Sequence, residues 1–161
     1  MNHETLLSEI NYDPLSGLFF WLKGGRGRKV FSPAGHRDNA KGYRRIKINE
    51  EYFLAHRLAW FYMHKCWPDG QIDHINGDKD DNRILNLRVV DGSLNQQNRR
   101  RARTTNKCGL LGASKSGNKW RAQIRKPNGG ETIHLGTYNT AEEAHDAHVE
   151  AKRAMHPGCT I

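Results

Sequence analysis

Residues 71–103 restrict the fold of this chain more than any other stretch. Gln71–Ile75 and Ile84–Val90 have the composition of short strands, and Asn76-Gly77 predicts a turn directly after the first of them. The residues Ser93-Leu94-Asn95-Gln96 match a capping box, which predicts a helix from Ser93 to about Arg103. The expected order is therefore strand, loop, strand, helix.

The second of these strands is expected to have an apolar and a polar face. Because side chains alternate along a strand, Leu85, Leu87 and Val89 would share one face, with Asn86 and Arg88 on the other. An apolar face of this kind predicts packing against a core, which leaves the asparagine and the arginine for polar contacts.

The other segments give shorter signals. Residues 1–50 are turn-rich, with a strand at residues 18–22, a glycine-rich basic loop at residues 24–42 and a strand at residues 43–48. A strand at residues 52–55 and a helix at residues 56–63 follow. After residue 109, strands are expected at residues 113–116, 120–125 and 132–138. The capping box Thr140-Ala141-Glu142-Glu143 then opens a helix to about Met155, with Ala144, Ala147 and Ala151 on one narrow apolar stripe.

The net charge predicts a polyanionic partner. Lys and Arg number 26 against 17 Asp and Glu, for a net charge of +9. Residues 1–95 hold 14 basic and 12 acidic side chains, a net of +2, whereas residues 96–161 hold 12 and 5, a net of +7. Each phosphate that such a surface neutralises releases counterions. Basic ribosomal and membrane-surface proteins share this composition, so the charge alone does not identify the partner.

Asp73 and His74, at the end of the first strand, have side chains suited to hydrolysing a phosphodiester. Histidine acts as a base near neutral pH, and a carboxylate with an amide oxygen can hold Mg²⁺ or Mn²⁺ loosely. We expect His74 to activate water, and Asp73 and Asn95 to bind one divalent ion. Asn86 would orient the site. Adjacent strand residues face opposite sides, so Asp73 and His74 share one site only if the strand frays at its end.

A series of motifs resembles the HNH endonuclease family, in the branch found in phage and intron-borne homing-type enzymes. The motifs are His56-Arg57-Leu58-Ala59-Trp60, residues 72–78, residues 81–88 and Asn95-Gln96-Gln97-Asn98. The resemblance implies a ββα-metal fold, with His74 as general base and Asp73 as a metal ligand. It also implies that Asn86 is the central asparagine that braces the loop.

The chain departs from the strict family pattern at its last position, which is Asn95 instead of histidine. Related enzymes with asparagine there use it as a metal ligand, and the resemblance implies the same for Asn95. Asn82 and Asn98 are further candidate site residues, and Asn98 lies one turn beyond Asn95 on the same face of the predicted helix. His56 is either a structural histidine or a phosphate contact.

The segment after the predicted helix is a basic arm. Arg99, Arg100, Arg101 and Arg103 lie within five residues, and we expect them to follow the phosphates of a nucleic acid as a linker between two modules. A solvated helix end would have the same composition. Asp78, Asp80 and Asp81 lie in the loop between the two predicted strands. They are alternative metal ligands, but we expect them to cap the loop or repel misplaced phosphate.

Most of residues 109–156 resembles the AP2 DNA-binding domain. The motifs are Gly112-Ala113-Ser114, residues 119–124, Leu135-Gly136-Thr137-Tyr138 and residues 140–144. The resemblance implies a three-stranded antiparallel sheet on one helix, with the sheet face in the major groove. The residues that would touch DNA are Lys115, Lys119, Trp120, Arg121 and Arg125, although core packing is the alternative for Trp120. His148 stands where the family usually has tyrosine.

These observations predict an α+β chain of three parts: an HNH nuclease domain with a β-rich N-terminal segment (1–98), a basic linker (99–108) and an AP2-like DNA-binding domain (109–161). The expected activity is metal-dependent, homing-like cleavage of double-stranded DNA, by nicking or by double-strand cleavage, with one Mg²⁺ or Mn²⁺ per site and a monomer or homodimer. The alternatives are a non-catalytic, sequence-specific DNA-binding regulator and an RNA-binding or structural protein. Without a signal-peptide pattern, an apolar span or paired cysteines, we expect a cytoplasmic protein with reduced thiols.

Overall fold

A computed structural model of the chain describes residues 1–25 and 27–161. They form two compact units, residues 1–90 and residues 91–161. Both units are mixed α+β and contain only antiparallel strand pairs among the described residues, so the expected α+β class is confirmed. The expected domain boundaries at residues 98 and 108 remain a prediction. In the described part of the chain, no helix combines the length and the apolar character needed to cross a membrane.

Among its described residues, the first unit has three small sheets and two α-helices. In chain order its elements are α1 (His3–Glu9), β1 (Ile10–Asp13), β2 (Leu18–Trp21), β3 (His36–Arg37), β4 (Arg44–Ile48), β5 (Glu51–Leu54), α2 (Ala55–His64), β6 (Gln71–His74) and β7 (Leu87–Val90). The sheets are the hairpin β1-β2, the three-stranded sheet β3-β4-β5 and the hairpin β6-β7. The predicted strands at residues 18–22, 43–48, 52–55 and 71–75 are confirmed to within a residue or two at each end.

Helix α2 is the centre of the core of the first unit. Leu58 and Ala59 are fully buried, and the helix packs against α1, β4 and β5. It ends where Lys65 adopts a left-handed conformation, with φ of 60°, and donates its backbone N–H to Phe61. The predicted helix at residues 56–63 is therefore confirmed, and its apolar spacing is the reason that it forms here.

The N-terminal segment is more regular than predicted. Residues 3–13 form α1 and β1, whereas the sequence suggested turns before residue 18. Leu6 and Ile10 are fully buried, and the Asn2 side chain caps the helix by accepting from the backbone N–H of Thr5. A helix of seven residues is stabilised mainly by tertiary packing, and two buried residues are too few to show a period.

The prediction of a strand at residues 84–90 is wrong for residues 84–86. Residues Ile84–Asn86 form a 3₁₀ turn, and β7 begins at Leu87. Leu85 is 85% exposed and Val89 is 37% exposed, so the predicted apolar face of Leu85, Leu87 and Val89 does not exist. Leu87 and Val90 are the buried residues of this strand. The cause is a set of hydrogen bonds made by Asn86, which bends the chain before the ladder starts.

The second unit is a three-stranded sheet covered by a long helix, with a short helix before it. Its elements are α3 (Gly92–Gln97), β8 (Ala113–Ser116), β9 (Lys119–Arg125), β10 (Thr132–Tyr138) and α4 (Ala141–Met155). The strand order is β10-β9-β8. The three predicted strands and the helix from the Thr140 capping box are confirmed, and both hydrogen bonds of that box are present.

Helix α3 is shorter than predicted and begins earlier. Its N-cap is Asp91, whose carboxylate accepts from the backbone N–H of Leu94, so that Ser93 lies inside the helix instead of capping it. The helix ends at Gln97, six residues before the predicted end. At this end, Lys152 of α4 and the C-terminal residues Gly158 and Thr160 bond to the side chain or the backbone of each residue from Gln97 to Arg100.

Helix α4 packs closely on the sheet of the second unit. Its buried residues are Ala141, Ala144, His148 and Lys152, whereas the predicted Ala147 and Ala151 are only partly buried. Gly112 allows the close approach, because a Cβ atom there would lie 1.9 Å from Cγ of His148. Small residues therefore bring helix and sheet together, but the buried stripe is wider and more polar than the sequence predicts.

A substitution at Gly17 tests how tightly the first hairpin packs on the loop before β7. Gly17 has φ of +74°, and an added Cβ atom would lie 2.4 Å from the backbone nitrogen of Arg83. We expect Gly17→Ala to lower the free energy of unfolding by about 1–2 kcal/mol for the left-handed conformation and by about 1–3 kcal/mol more for the clash.

The matched control is Gly27→Ala, since Gly27 has φ of +77° and nothing within 4 Å of the added atom. Urea denaturation of both variants gives the comparison. Equal losses in the two variants would mean that the close packing of Gly17 on this loop does not exist in solution.

Candidate active site

The loop at residues 75–86, here called the site loop, joins β6 to β7 and is closed by the side-chain amide of Asn86. Its Oδ1 accepts from the backbone N–H of Asn76 at 2.9 Å, and its Nδ2 donates to the carbonyl of Asp81 at 2.8 Å. The backbone of Asn86 accepts from Ile75 at 2.9 Å. Asn86 thus ties both ends of the loop to its middle, which is the geometry expected for a bracing residue.

The aspartates of the site loop are occupied in holding it together. Asp80 accepts two hydrogen bonds from Arg44 of β4, at 2.9 and 3.0 Å. Asp81 pairs with Arg83, and this pairing is the largest cause that lowers the pKa of Asp81 to about 2. Asp78 accepts from the backbone N–H of Asp80 at 3.0 Å. These contacts agree with the expectation that the three carboxylates cap the loop.

His74 is the last residue of β6, and its imidazole is buried among polar and aromatic side chains. Its Nε2 lies 3.3 Å from Oδ1 of Asn82. The ring of His56 meets it edge-on at 5.1 Å between centroids, and the ring of Tyr43 lies 6.0 Å away. The residue before β4, helix α2 and the site loop therefore meet around this one imidazole.

Asp73 has a different set of contacts. It is buried, and its Oδ2 accepts from Nε and a terminal nitrogen of Arg88 at 3.0 and 2.8 Å. The register explains the pair, because Asp73 lies opposite Arg88 in the β6-β7 ladder. The ladder continues in register to the pair His74 and Leu87, so the expected fraying of the strand end is not observed.

The electrostatics keep His74 neutral. Burial lowers the pKa of the His74 imidazole below its ordinary value, while its contact with Asn82 and the nearby charge of Asp73 oppose the shift. The Asp73 carboxylate is thus close enough to act on the imidazole although it faces Arg88. A neutral imidazole near pH 7 is the state that a general base requires.

His56 is the second residue of α2, and it is 5% exposed. Burial lowers its pKa to about 3, and the charges of His74 and Arg57 add to the shift. Its Nδ1 is buried with no hydrogen-bond partner among the described residues. The geometry favours the structural role for His56 over a phosphate contact, because the ring packs on His74 and Tyr43 instead of facing solvent.

The donors in the first unit suit a loosely held divalent ion. Among the described residues, no group of three or more His, Cys, Asp or Glu could hold a metal ion. Mg²⁺ typically uses only one or two carboxylates, with water and substrate phosphates as its other ligands. The buried Asp73 carboxylate is a hard oxygen donor of that kind.

Asn95, the other predicted metal ligand, belongs to helix α3 in the second unit. The end of that helix is held by the C-terminal segment of the same unit. The Gln97 side chain accepts from the backbone of Gly158, and Asn98 accepts from the Thr160 hydroxyl. Asn98 is thus engaged with the C-terminal segment, whereas the ligand role of Asn95 remains a prediction.

The basic arm is attached to the second unit. The ammonium group of Lys152 is buried and donates to the carbonyl of Arg99, and the guanidinium of Arg100 donates to the carbonyl of Thr160 at 2.6 Å. Burial lowers the pKa of Lys152. Residues 98–108 contain no helix or strand, so their path is set by these bonds. The side chains of Arg101 and Arg103 are exposed.

Strand β9 presents two different faces. Arg121 and Arg125 are exposed on one of them, whereas Ala122 and Ile124 are buried on the other, against α4. Trp120 lies on the buried side by alternation and packs against the small core of this unit. The two arginines therefore have the placement expected for DNA contact, and Trp120 shares the face of the core.

A cavity of about 620 Å³ lies between the basic arm and the β8-β9 edge. Its lining contains four basic side chains, one aromatic ring and no acidic residue; the basic and aromatic members are Arg99, Arg103, Lys107, Lys115 and Trp120. A pocket with this lining attracts anions. Lys119, at the start of β9, is exposed.

Part of the chain matches a known family. Residues 53–97 match the family model described as HNH endonuclease, which covers less than a third of the chain. The matched stretch contains α2, β6, the site loop and β7, and it extends into α3. The match supports a nuclease, and therefore a hydrolase, at the general level.

A second, shorter likeness is to an element-binding protein of a plant. A stretch of 38 residues is 53% identical to dehydration-responsive element-binding protein 2A of Arabidopsis thaliana. The stretch covers 24% of this chain and 11% of that protein. The chain therefore matches a small part of this relative's length. No solved structure gives a significant match to the chain.

Two contacts of the site were not predicted from the sequence. Arg88 was placed on a polar face without a partner, and the β6-β7 register shows that this partner is Asp73. Tyr43 was treated only as a strand residue, yet its ring packs against His74 and His56. The signal for Arg88 was available, because pairing the two predicted strands through the turn places opposite charges across from each other.

The buried state of His56 predicts a loss of stability in acid. The unfolded chain binds a proton at His56 near pH 6.5, whereas the folded chain does so only near pH 3. Between these values the unfolded state holds more protons, so the free energy of unfolding falls as the pH falls, by up to about 1.4 kcal/mol per pH unit for this residue. We expect His56→Leu to remove that part of the slope.

Urea denaturation at pH 6.5, 5.5 and 4.5 measures the slope for the wild type and the variant. The matched control is His36→Leu, which makes the same replacement at an exposed histidine. An unchanged slope in His56→Leu would contradict the buried, neutral state of this histidine.

Proposed function

We propose that this chain is a metal-dependent DNA endonuclease in which His74 is the general base. The observation that carries the proposal is the buried, neutral imidazole at the end of β6, bounded by the site loop and inside the segment that matches the HNH endonuclease model. A base of this kind suits the hydrolysis of a phosphodiester.

In this proposal His74 takes a proton from a water molecule, whose oxygen then attacks phosphorus while the 3′ oxygen departs. Asp73 and Asn95 would hold one Mg²⁺ or Mn²⁺, and Asn86 would keep the site loop closed. A bound divalent ion would supply charge stabilisation on the phosphate and on the departing oxygen. Arg88 would hold the Asp73 carboxylate in place through Oδ2.

The second unit would bind double-stranded DNA as an AP2-like domain. The exposed arginines of β9, the short stretch of identity to a protein named for binding a responsive element, and the net charge of residues 96–161 support this part. Arg121 and Arg125 would contact base edges and phosphates from one sheet face. The arm residues would follow the phosphate backbone, and Lys119 would lie on the same sheet face as the two arginines. Lys115 and Trp120, which pair across β8 and β9 on the other face, stay predicted contacts.

The combination suggests cleavage that is directed to particular sites, as in homing-type enzymes. One candidate centre per chain favours either nicking by a monomer or double-strand cleavage by two copies. The competing proposal is a DNA-binding regulator without catalysis. The ion pair of Asp73 with Arg88 favours that alternative, because it neutralises the carboxylate that would otherwise attract a cation.

Replacement of His74 separates the two proposals. We expect His74→Ala to reduce cleavage of double-stranded DNA in Mg²⁺ or Mn²⁺ by about 10²–10⁴-fold, because the general base is lost. Binding to the same DNA without metal should persist. Cleavage is measured on a supercoiled plasmid and on a random duplex library, and binding by fluorescence anisotropy.

His36→Ala is the control, since it removes an exposed histidine far along the chain from the site loop. If the wild type cleaves no duplex with either metal but binds DNA, the regulator is the better proposal. Equal cleavage by His74→Ala and the wild type would remove His74 from the base role.

The β9 arginines give an independent test of the second unit. Arg121→Ala and Arg125→Ala should each weaken binding to duplex DNA, and each phosphate contact that is lost should reduce the slope of log K against log salt by about 0.9. The control is Lys126→Ala, which removes a charge that is paired with Glu131 just beyond the strand. Loss of affinity in the control equal to that in the two variants would argue for an unspecific charge effect.

A further inference from the structure

We propose that the cavity between the basic arm and the β8-β9 edge binds one unpaired nucleotide of a DNA strand. Its volume is about 620 Å³, and every residue that lines it belongs to the second unit. The proposal rests on the proposed function in one respect, since DNA held by the second unit would supply the nucleotide. The affinity for a base and its phosphate depends on the cavity alone.

The charge of the lining favours an anion. The cavity is lined by Arg99, Arg103, Lys107 and Lys115, and no acidic side chain is among its described lining residues. All four basic residues are exposed, so a phosphate can reach their cationic groups from solvent. The salt bridges among the described residues involve none of these four side chains. Their charge is therefore available to a ligand.

The same cavity contains the aromatic ring of Trp120. This side chain packs against the core of the second unit, but it is only half-buried, and it forms part of the cavity wall. Lys115 lies directly across from Trp120 in the β8-β9 register, which places a basic residue beside the ring. A flat apolar ring among cations is the arrangement in which proteins stack a base and hold its phosphate.

The nucleotide must be unpaired for two reasons. In a duplex, neighbouring bases cover both faces of each base, so that no face remains for an indole ring. A cavity of about 620 Å³ also has the size of a small-molecule site, which is too small to admit a double helix. The exposed Arg121 and Arg125 lie on the other face of β9, where they remain available to a duplex.

Hydrogen bonds hold the walls of the cavity in place. The Asn106 side chain donates to the carbonyl oxygens of Leu110 and Ala113, at 2.8 and 3.0 Å, which fixes the loop before β8. The carbonyl of Arg99 accepts from the buried ammonium group of Lys152, which fixes the start of the arm. The cavity is therefore formed before a ligand binds, and a preformed site loses less free energy to ordering.

Two oligonucleotides of equal charge test the binding of a base. One is a single-stranded pentamer of abasic deoxyribose phosphates, and the other carries one thymine at its central position. Fluorescence anisotropy of labelled strands measures their binding to the full chain in EDTA, so that no metal-dependent cleavage occurs. We expect the thymine to raise the affinity about 5–100-fold, as one stacked base does. Equal affinities for the two strands would indicate a plain anion site and overturn the proposal.

Two variants locate the base in the cavity. Ala102→Phe fills the cavity and keeps its charges, whereas Trp120→Leu keeps an apolar side chain in the core but removes the stacking face. Each should abolish the gain from the thymine and leave the affinity for the abasic strand close to that of the wild type. Ala102 lies outside that core, so its variant tests the proposal even if Trp120→Leu does not fold.

Arg121→Gln is the matched control, because it removes a charge from the other face of β9. It should weaken binding of both strands and leave the gain from the thymine unchanged. Ala102→Phe should also keep the affinity for duplex DNA. Retention of the gain in Ala102→Phe, or its loss in Arg121→Gln, would place the base outside the cavity and overturn the proposal.

Competition with free dTMP distinguishes a strand from a free nucleotide. Displacing the thymine-containing strand should take far more dTMP than unlabelled strand, because the neighbouring phosphates of a strand add contacts with basic side chains. Equal effective concentrations of the two competitors would assign the cavity to free nucleotides and overturn the binding of a strand.

The outcomes also distinguish this proposal from the proposed function. A wild type that shows the gain from the thymine but cleaves no DNA in Mg²⁺ or Mn²⁺ supports the nucleotide cavity and counts against the nuclease. Cleavage without the gain overturns the nucleotide cavity and leaves the nuclease in place.

Discussion

The candidate site depends on the two hydrogen bonds that the side-chain amide of Asn86 makes within the site loop. The site loop contains few apolar residues, so its shape comes from hydrogen bonds, and Asn86 makes the two that join its ends to its middle. Once the loop is closed in this way, Asn82 lies beside His74 and Asp80 lies beside Arg44. A buried polar network of this kind specifies one arrangement, because each group left unpaired would cost free energy.

The same dependence on polar contacts appears in the second unit. Its core is small and rich in alanine, and the ammonium of Lys152 is buried to hold the carbonyl of Arg99. The C-terminal residues Gly158 and Thr160 add further bonds to the end of α3 and to the arm. The arginines of the arm therefore belong structurally to the unit that carries the exposed β9 arginines, and residues 96–161 hold a net charge of +7 out of +9.

How far the sequence predicted the fold depended on the kind of signal. Helix α2 and the strands β8, β9 and β10 were predicted closely, because local periodicity and turn residues specify them. The predictions for residues 84–86 and for the end of α3 were wrong. The Asn86 side chain bonds to Asn76 and Asp81 before β7 begins, and Lys152 and Thr160 bond to Arg99 and Asn98 after α3 ends. Secondary-structure propensity depends on residues that are close in sequence, whereas these hydrogen-bond partners lie farther away along the chain.

For the site, the sequence by itself determined the chemical inventory: an imidazole next to a carboxylate, a turn, spaced asparagines and a basic C-terminal half. Only the tertiary structure decided how these groups are used. It paired Asp73 with Arg88, packed His56 and Tyr43 on His74, and turned the oxygen of Asn82 toward Nε2 of His74. The physical reason is that residue types follow from the sequence, whereas hydrogen-bond direction and burial depend on which segments meet in space.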